Sequence, residues 1–309
     1  MTRDRFSVAV LGPGGVGGFL AAMLAREGSS VLVLASDESS RVITQSGIRL
    51  ESRKFGNFAA TVRTAARLAE PVDACLITVK ATHLNDAVDR VPADALGPAL
   101  VIPFLNGLEH VDRLRAVYPP SSVVAATIRI ETAKAEPGLI RHTSPFAAVE
   151  FAATADNRDR VESIAEHLAA AGLDVRIRDE ELAMLWDKFA LLGPLALLTT
   201  HERANVGAIR SRRRDEAIAL IDEVAAVAEA DGVDIDRDAV LRLVDSVPET
   251  MESSMQRDQA AGRPLELDAL GGALLRRAAR AGIAVPVTRR LVDEIQSRNG
   301  HMASGGSES

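Results

Sequence analysis

The first residues whose types and spacing suggest chemistry are Gly12-Pro13-Gly14-Gly15-Val16-Gly17. They match G-x-G-x-x-G, a weak pattern alone. Here the loop follows the apolar run Val8 to Leu11 and opens an Ala- and Leu-rich helical pattern from Phe19 to Arg26, the context a dinucleotide-binding turn requires. Gly12 permits the tight turn, Gly14 lets a pyrophosphate approach the backbone, and Gly17 lets helix and strand pack closely. The opening helix offers N–H groups and its positive dipole end to an anion. Gly12, Gly14, Gly15, Val16 and Gly17 are therefore candidate cofactor contacts. The competing reading is a glycine-rich turn with no ligand.

In such folds the end of the second strand reads the adenosine ribose: a carboxylate suits the NAD hydroxyl and an arginine suits the NADP phosphate. This chain places Ser36-Asp37-Glu38-Ser39-Ser40-Arg41 there. Ser36 can bond either group, Asp37 would repel a phosphate if turned inward, and Arg41 could fold back to bind one. The residues alone leave NADP and NAD both open.

The elements that must position this loop alternate in the first half. Val8 to Leu11, Val31 to Leu34, Ala74 to Val79 and Leu100 to Leu105 are continuous apolar runs, as parallel strands covered on both faces require. Strand, helix and strand at this rhythm predict an α/β fold with an N-terminal Rossmann-like, doubly wound sheet. Val123 to Glu131, Phe146 to Ala152 and Leu173 to Ile177 are also strand-like. The turn residues Glu136-Pro137-Gly138 predict an antiparallel excursion. Beyond about residue 179 only helical patterns remain: Glu180 to Leu198, Glu216 to Ala230, Leu267 to Ala281, and Pro286 to about Arg298. The expected organisation is a dinucleotide-binding domain over 1–179, an all-α substrate and catalytic domain over 180–298, and a disordered Gly- and Ser-rich tail over 299–309.

A net charge of -7 argues against a surface built for nucleic acid or anionic lipid. The Arg210 to Arg214 basic run adjoins Asp215 and Glu216 and is read as a solvated helix face. Cys75 is the single cysteine, so no disulfide can form within the chain and a reducing, cytoplasmic location is expected. No uncharged stretch reaches the roughly 18 residues of a spanning helix. The six histidines are scattered without metal-ligand spacing, so no metal is expected. The Glu216 to Ala230 helix could serve a homodimer or simply the core.

Five segments together resemble the ketopantoate reductase (2-dehydropantoate 2-reductase) family, to about residue 297: the glycine loop, Thr78-Val79-Lys80-Ala81, Leu105-Asn106-Gly107, Leu185-Trp186-Asp187-Lys188, and Ser253-Ser254-Met255 followed by Pro264-Leu265-Glu266-Leu267-Asp268. The resemblance implies an NADPH-dependent reductase that converts a small 2-keto acid to its 2-hydroxy acid in pantothenate synthesis. It implies that Lys188 is the general acid, Glu266 the carboxylate that binds and orients substrate, and Ser254 a substrate contact. Asn106 matches an asparagine between nicotinamide and substrate, and Lys80 matches a lysine near cofactor and active site. The types suit the reaction: hydride arriving at a carbonyl carbon leaves negative charge on oxygen, which an aimed ammonium stabilises and protonates.

The chain departs from the family at three places. Leu192 and Ala196 stand where the family bears asparagines one and two turns beyond the lysine, and Ser36 stands where it bears an arginine. A more apolar pocket is expected, so a different keto acid remains an alternative to ketopantoate. A non-catalytic dinucleotide sensor is the reading from another class; retention of both Lys188 and Glu266 speaks against it.

Overall fold

The computed structural model describes residues 5–304 and consists of two compact units. The first comprises Met1–Leu105 and His110–Met184, and the second comprises Asn106–Glu109 and Leu185–Ser309. The later division falls between Met184 and Leu185, and a four-residue segment from the first half of the chain groups with the helical unit.

In chain order the first unit runs β1 (Ser7–Leu11), α1 (Gly15–Glu27), β2 (Ser30–Leu34), α2 (Asp37–Ser46), β3 (Ile48–Ser52), β4 (Phe58–Ala60), β5 (Arg63–Ala65) and β6 (Ala74–Ile77). It continues with α3 (Leu84–Val88), α4 (Ala93–Leu96), β7 (Leu100–Pro103), α5 (His110–Arg115), β8 (Ala126–Arg129), β9 (Thr132–Glu136), β10 (Leu139–His142), β11 (Ala148–Ala152), α6 (Arg158–Ala170) and β12 (Asp174–Arg178). The central sheet has the order β5-β2-β1-β6-β7, with every pair parallel. This is the Rossmann-like sheet that the apolar runs predict, because β1, β2, β6 and β7 are buried along almost their whole length.

Two smaller sheets complete the unit: β4-β3-β10-β9 and β12-β11-β8. The turn at Pro137-Gly138 joins the antiparallel pair β9 and β10, the excursion its residues predict. Helix α1 packs Phe19, Leu20, Met23 and Leu24 out of solvent into the same core as Val10, Val33 and Leu76. Truncating a side chain such as Phe19 to alanine there would cost about 3–5 kcal/mol.

The second unit is helical: α7 (Glu181–Glu202), which begins in the first unit, then α8 (Val206–Arg212), α9 (Arg214–Ala230), α10 (Arg237–Ser246) and α11 (Ser254–Ala260). A π-helical turn at Asp268–Gly272 leads into α12 (Ala273–Ala281), and α13 (Pro286–Ser304) closes the chain. Helix α7 runs through Gly193-Pro194 without interruption. It is long and apolar enough to cross a membrane by composition, yet 67% of its most apolar window is buried inside the protein, so that apolarity serves packing. The apolar face of α9, including Leu220, Ile221, Val224 and Val227, is likewise buried within the chain. Helix α13 continues past Arg298 to Ser304, where a disordered tail was expected, and 305–309 lie outside the described residues.

Candidate active site

The glycine loop runs from the end of β1 into the first turn of α1, and Gly12, Gly17 and Gly14 are each glycine for a different reason. Gly12 has φ +92°, a left-handed conformation that side chains rarely adopt, and its N–H donates to Leu34 O at 3.2 Å. A Cβ on Gly17 would lie 2.2 Å from both Gly12 O and Thr78 Oγ1. Thr78 Oγ1 itself reaches Leu11 O at 2.9 Å and Gly12 O at 2.8 Å, so it braces the turn from the end of β6. A Cβ on Gly14 would meet nothing within 4 Å, and Gly14 forms the N-cap of α1 without a side-chain bond to the helix. No acidic residue occupies the first turn of α1. The backbone N–H groups of Gly15, Val16 and Gly17 are thus among those an α-helix leaves without intrahelical partners. Open space over Gly14, bare N–H groups and no competing carboxylate fit a dinucleotide pyrophosphate.

Ser36 is the exposed N-cap of α2, and its hydroxyl makes no capping bond. Lys80 follows β6 as the N-cap of a short 3-10 turn. Both belong to the first unit with the glycine loop. Cys75 lies inside β6, where burial pushes its thiol up to about 12, which suits a packing residue.

The helical unit holds Lys188, Ser254, Glu266 and, through the Asn106–Glu109 segment, Asn106. Lys188 is half-buried on α7. The helix is pinned beside it by Trp186, which is fully buried and packs edge-to-face on Phe189 with ring centroids 5.5 Å apart. The Trp186 indole N–H donates to Asp231 Oδ2 at 3.2 Å, and Arg277 pairs with the same carboxylate. The Arg277 guanidinium lies 5.9 Å from the indole centroid. Rotation of α7, and hence the direction of Lys188, is therefore set from two other helices.

Glu266 is only 5% exposed, so its carboxylate needs polar partners. Asn106 Nδ2 donates to Glu266 Oε2 at 3.4 Å, across 160 residues of sequence. Gly107 makes this approach possible: its φ is +100°, and a Cβ there would stand 2.4 Å from Ala269 O in the π-helical turn after Glu266. Adjacent arginines secure the segment. Arg276 bonds Glu109 Oε2 at 2.8 Å and Asp268 Oδ1 at 2.6 Å, and Arg277 reaches Leu108 O at 3.3 Å. π-helical turns inside α-helices occur often at functional sites.

Ser254 opens α11 and is half-buried. Sequence reasoning missed its support. Ser253 Oγ caps the helix by accepting Gln256 N–H at 3.1 Å, and Thr199 Oγ1 lies 2.8 Å from that same oxygen. Thr199 stands eleven residues after Lys188, close to three full turns, so both project from one side of α7. The signal in the sequence was Ser253 preceding a helix, a common N-cap residue. Asn205 caps α8 by accepting the Ala208 N–H at 3.0 Å. His201 is bonded by Glu202 at 2.8 Å and Glu294 at 2.6 Å. The basic run is spent on structure: Arg210 bonds the carbonyls of Asp245 and Val247, Arg213 pairs with Glu202, and Arg214 with Asp245.

Comparison with known proteins places the chain in a family. Residues 8–156 match the family model described as ketopantoate reductase PanE/ApbA, and residues 182–299 match its C-terminal counterpart. A 2-dehydropantoate 2-reductase of Mycobacterium tuberculosis is 32% identical over 298 residues, covering 92% of this chain and 95% of that protein. The crystal structure of a PanE/ApbA family ketopantoate reductase from Ralstonia eutropha superposes with a TM-score of 0.86 at 29% identity, covering 96% of this chain and 99% of the other. D-mandelate dehydrogenase, solved with NADH and anilino(oxo)acetate, superposes with a TM-score of 0.89 over 96% of this chain and 100% of its own; at 20% identity it shares the fold.

Proposed function

Because this chain belongs to the ketopantoate reductase family, we propose that it reduces a small branched 2-keto acid to the 2-hydroxy acid, with 2-dehydropantoate as the leading substrate and NADPH as the preferred reductant. The observation that carries this reading is the Asn106–Glu266 contact on the unit that also bears Lys188. A buried carboxylate held by an amide is a poor choice for mere solubility and a good one for orienting a hydroxylated substrate. The nicotinamide cofactor, when bound, supplies the hydride. Gly15, Val16 and Gly17 hold its pyrophosphate on backbone N–H groups over the open space at Gly14, while Ser36 and Lys80 serve the rest of the dinucleotide.

The chain's own contribution is proton and charge management. The Lys188 ammonium donates a hydrogen bond to the substrate carbonyl oxygen and transfers its proton there as negative charge develops. Glu266 accepts from substrate hydroxyls and fixes their direction, with Asn106 holding its other side. Ser254 donates or accepts at the substrate carboxylate or hydroxyl. Leu192 and Ala196 lie one and two turns beyond Lys188, Ala196 buried and Leu192 half-buried. These apolar positions, together with the fold shared with D-mandelate dehydrogenase, favour a second reading in which the substrate is a 2-keto acid with an apolar or aryl side chain.

The test is oxidation of NADPH and NADH at saturating 2-dehydropantoate, with a branched aliphatic and an aryl 2-keto acid in parallel. Fast turnover of 2-dehydropantoate with NADPH is the expected result. Turnover of the aryl acid alone would establish the second reading. Cofactor binding with no turnover of any keto acid would replace both with a dinucleotide-sensing role.

A further inference from the structure

The end of β2 carries a cation that no local sequence feature announces. Arg90, just after α3, reaches back 55 residues to donate from Nη2 to Ala35 O at 2.7 Å, while its Nε donates to Ala66 O at 2.6 Å. Ala35 directly follows β2, and the preceding Leu34 O is the acceptor of the Gly12 N–H. The guanidinium is therefore fixed at the strand end beside the glycine loop, the place where Rossmann folds distinguish a ribose 2′-phosphate from a 2′-hydroxyl.

Two properties suit Arg90 to that task. Both of its anchors are neutral carbonyls, so its positive charge is oriented without being cancelled. Among the described residues its Nη1 has no hydrogen-bond partner, and Arg90 is only half-buried. Ser36, next along the chain, has a hydroxyl not used for capping α2. The opposing charge felt by Arg90 is that of Asp37, exposed in the first turn of α2 and not hydrogen-bonded to it. Partial burial pushes the Arg90 pKa down and Asp37 pushes it up, and the group stays charged at any pH near neutrality.

We propose that Arg90 is the specificity-determining cation of this chain, donating from Nη1 to the 2′-phosphate of an adenosine ribose whose other oxygens face Ser36 and the start of α2. Asp37, which would otherwise draw the site toward a 2′-hydroxyl, is outweighed by a preoriented guanidinium. The inference rests on the reading of the glycine loop as a dinucleotide site and is independent of which keto acid is reduced.

Direct binding tests it without turnover. The full-length chain is titrated by calorimetry with adenosine 2′,5′-bisphosphate and with 5′-AMP, which differ only in the 2′-phosphate. The wild type is expected to prefer the bisphosphate by about tenfold or more, and Arg90→Gln to lose about 10- to 100-fold for the bisphosphate while 5′-AMP changes by less than about twofold. Equal binding of the two probes by the wild type, or equal loss of both in Arg90→Gln, overturns the proposal. If Arg90→Gln does not fold, Arg90→Lys takes its place. A lysine cannot hold two carbonyls and still present a donor, so the ratio of the two affinities must fall, and an unchanged ratio also overturns it. A chain that binds the bisphosphate through Arg90 but reduces no keto acid keeps this inference and sinks the proposed reaction. A keto-acid reductase whose probe ratio ignores Arg90 does the reverse.

Discussion

In the Rossmann-like unit the proposed functional surface is backbone: a six-residue loop, Gly12 to Gly17, whose side chains are nearly absent and whose shape is braced by one hydroxyl, Thr78. In the helical unit it is made of side chains from separate segments, each held by partners remote in sequence. Asn106 meets Glu266, Trp186 is fastened by Asp231, and Ser254 follows a cap shared with Thr199. A binding surface for a common cofactor can be written in contiguous glycines because the phosphate needs only N–H groups and room. A surface that selects and protonates one substrate needs particular functional groups in particular directions, and these come from wherever packing allows.

The largest test of this contrast is Lys188→Ala. Removal of the proton donor should lower the turnover number by about 10²- to 10⁴-fold while NADPH binding, followed by fluorescence, stays unchanged. Turnover retained within a few-fold would remove Lys188 from its role. Next comes a pair within the loop. In Gly17→Ala the new methyl must displace Thr78 or the Gly12 carbonyl, so the melting temperature should drop, corresponding to about 1–3 kcal/mol, and cofactor affinity should fall with it. Gly14→Ala enters open space at φ -75°; its melting temperature should match the wild type while NADPH binding weakens. Unaltered binding in Gly14→Ala would mean that the pyrophosphate lies elsewhere.

Smaller effects are expected at the hidden supports of the helical unit. Ser253→Ala should cost about 1 kcal/mol of stability and raise KM for the keto acid more than it lowers kcat, because Ser254 is repositioned rather than removed. Thr199→Val should act in the same direction, and Thr199→Ser should restore the wild-type KM. If both variants leave KM unchanged, α11 is held by packing alone.

The smallest effect concerns the first unit. His142 is buried between Phe19 and Phe55 and bonded to Ser52 Oγ at 2.8 Å; burial pushes its pKa down. The unfolded chain therefore binds this proton more tightly than the folded one. The resulting stability is complete above the unfolded value of about 6.5 and is lost as pH falls through the lower folded value. Melting curves between about pH 7.5 and pH 5 should show this loss, and His142→Gln should flatten it. An identical pH slope in the variant would assign the effect to other groups.

The sequence by itself determined the central sheet and the glycine loop. Val8 to Leu11, Val31 to Leu34 and Ala74 to Ile77 are apolar on both faces, and only strands covered on both sides use such runs. The loop's geometry is local, since a positive φ at Gly12 depends on that residue's own missing side chain. The short strands were harder to see. Ile48 and Leu50 alternate with Arg49 and Glu51, but the pattern lasts only five residues and β9 is largely exposed. Only the tertiary structure decided that Asn106 belongs with Glu266 and that Arg90 stands at the end of β2. Both depend on where chain segments 160 and 55 residues apart are brought by packing, and no local propensity encodes a distance of that kind.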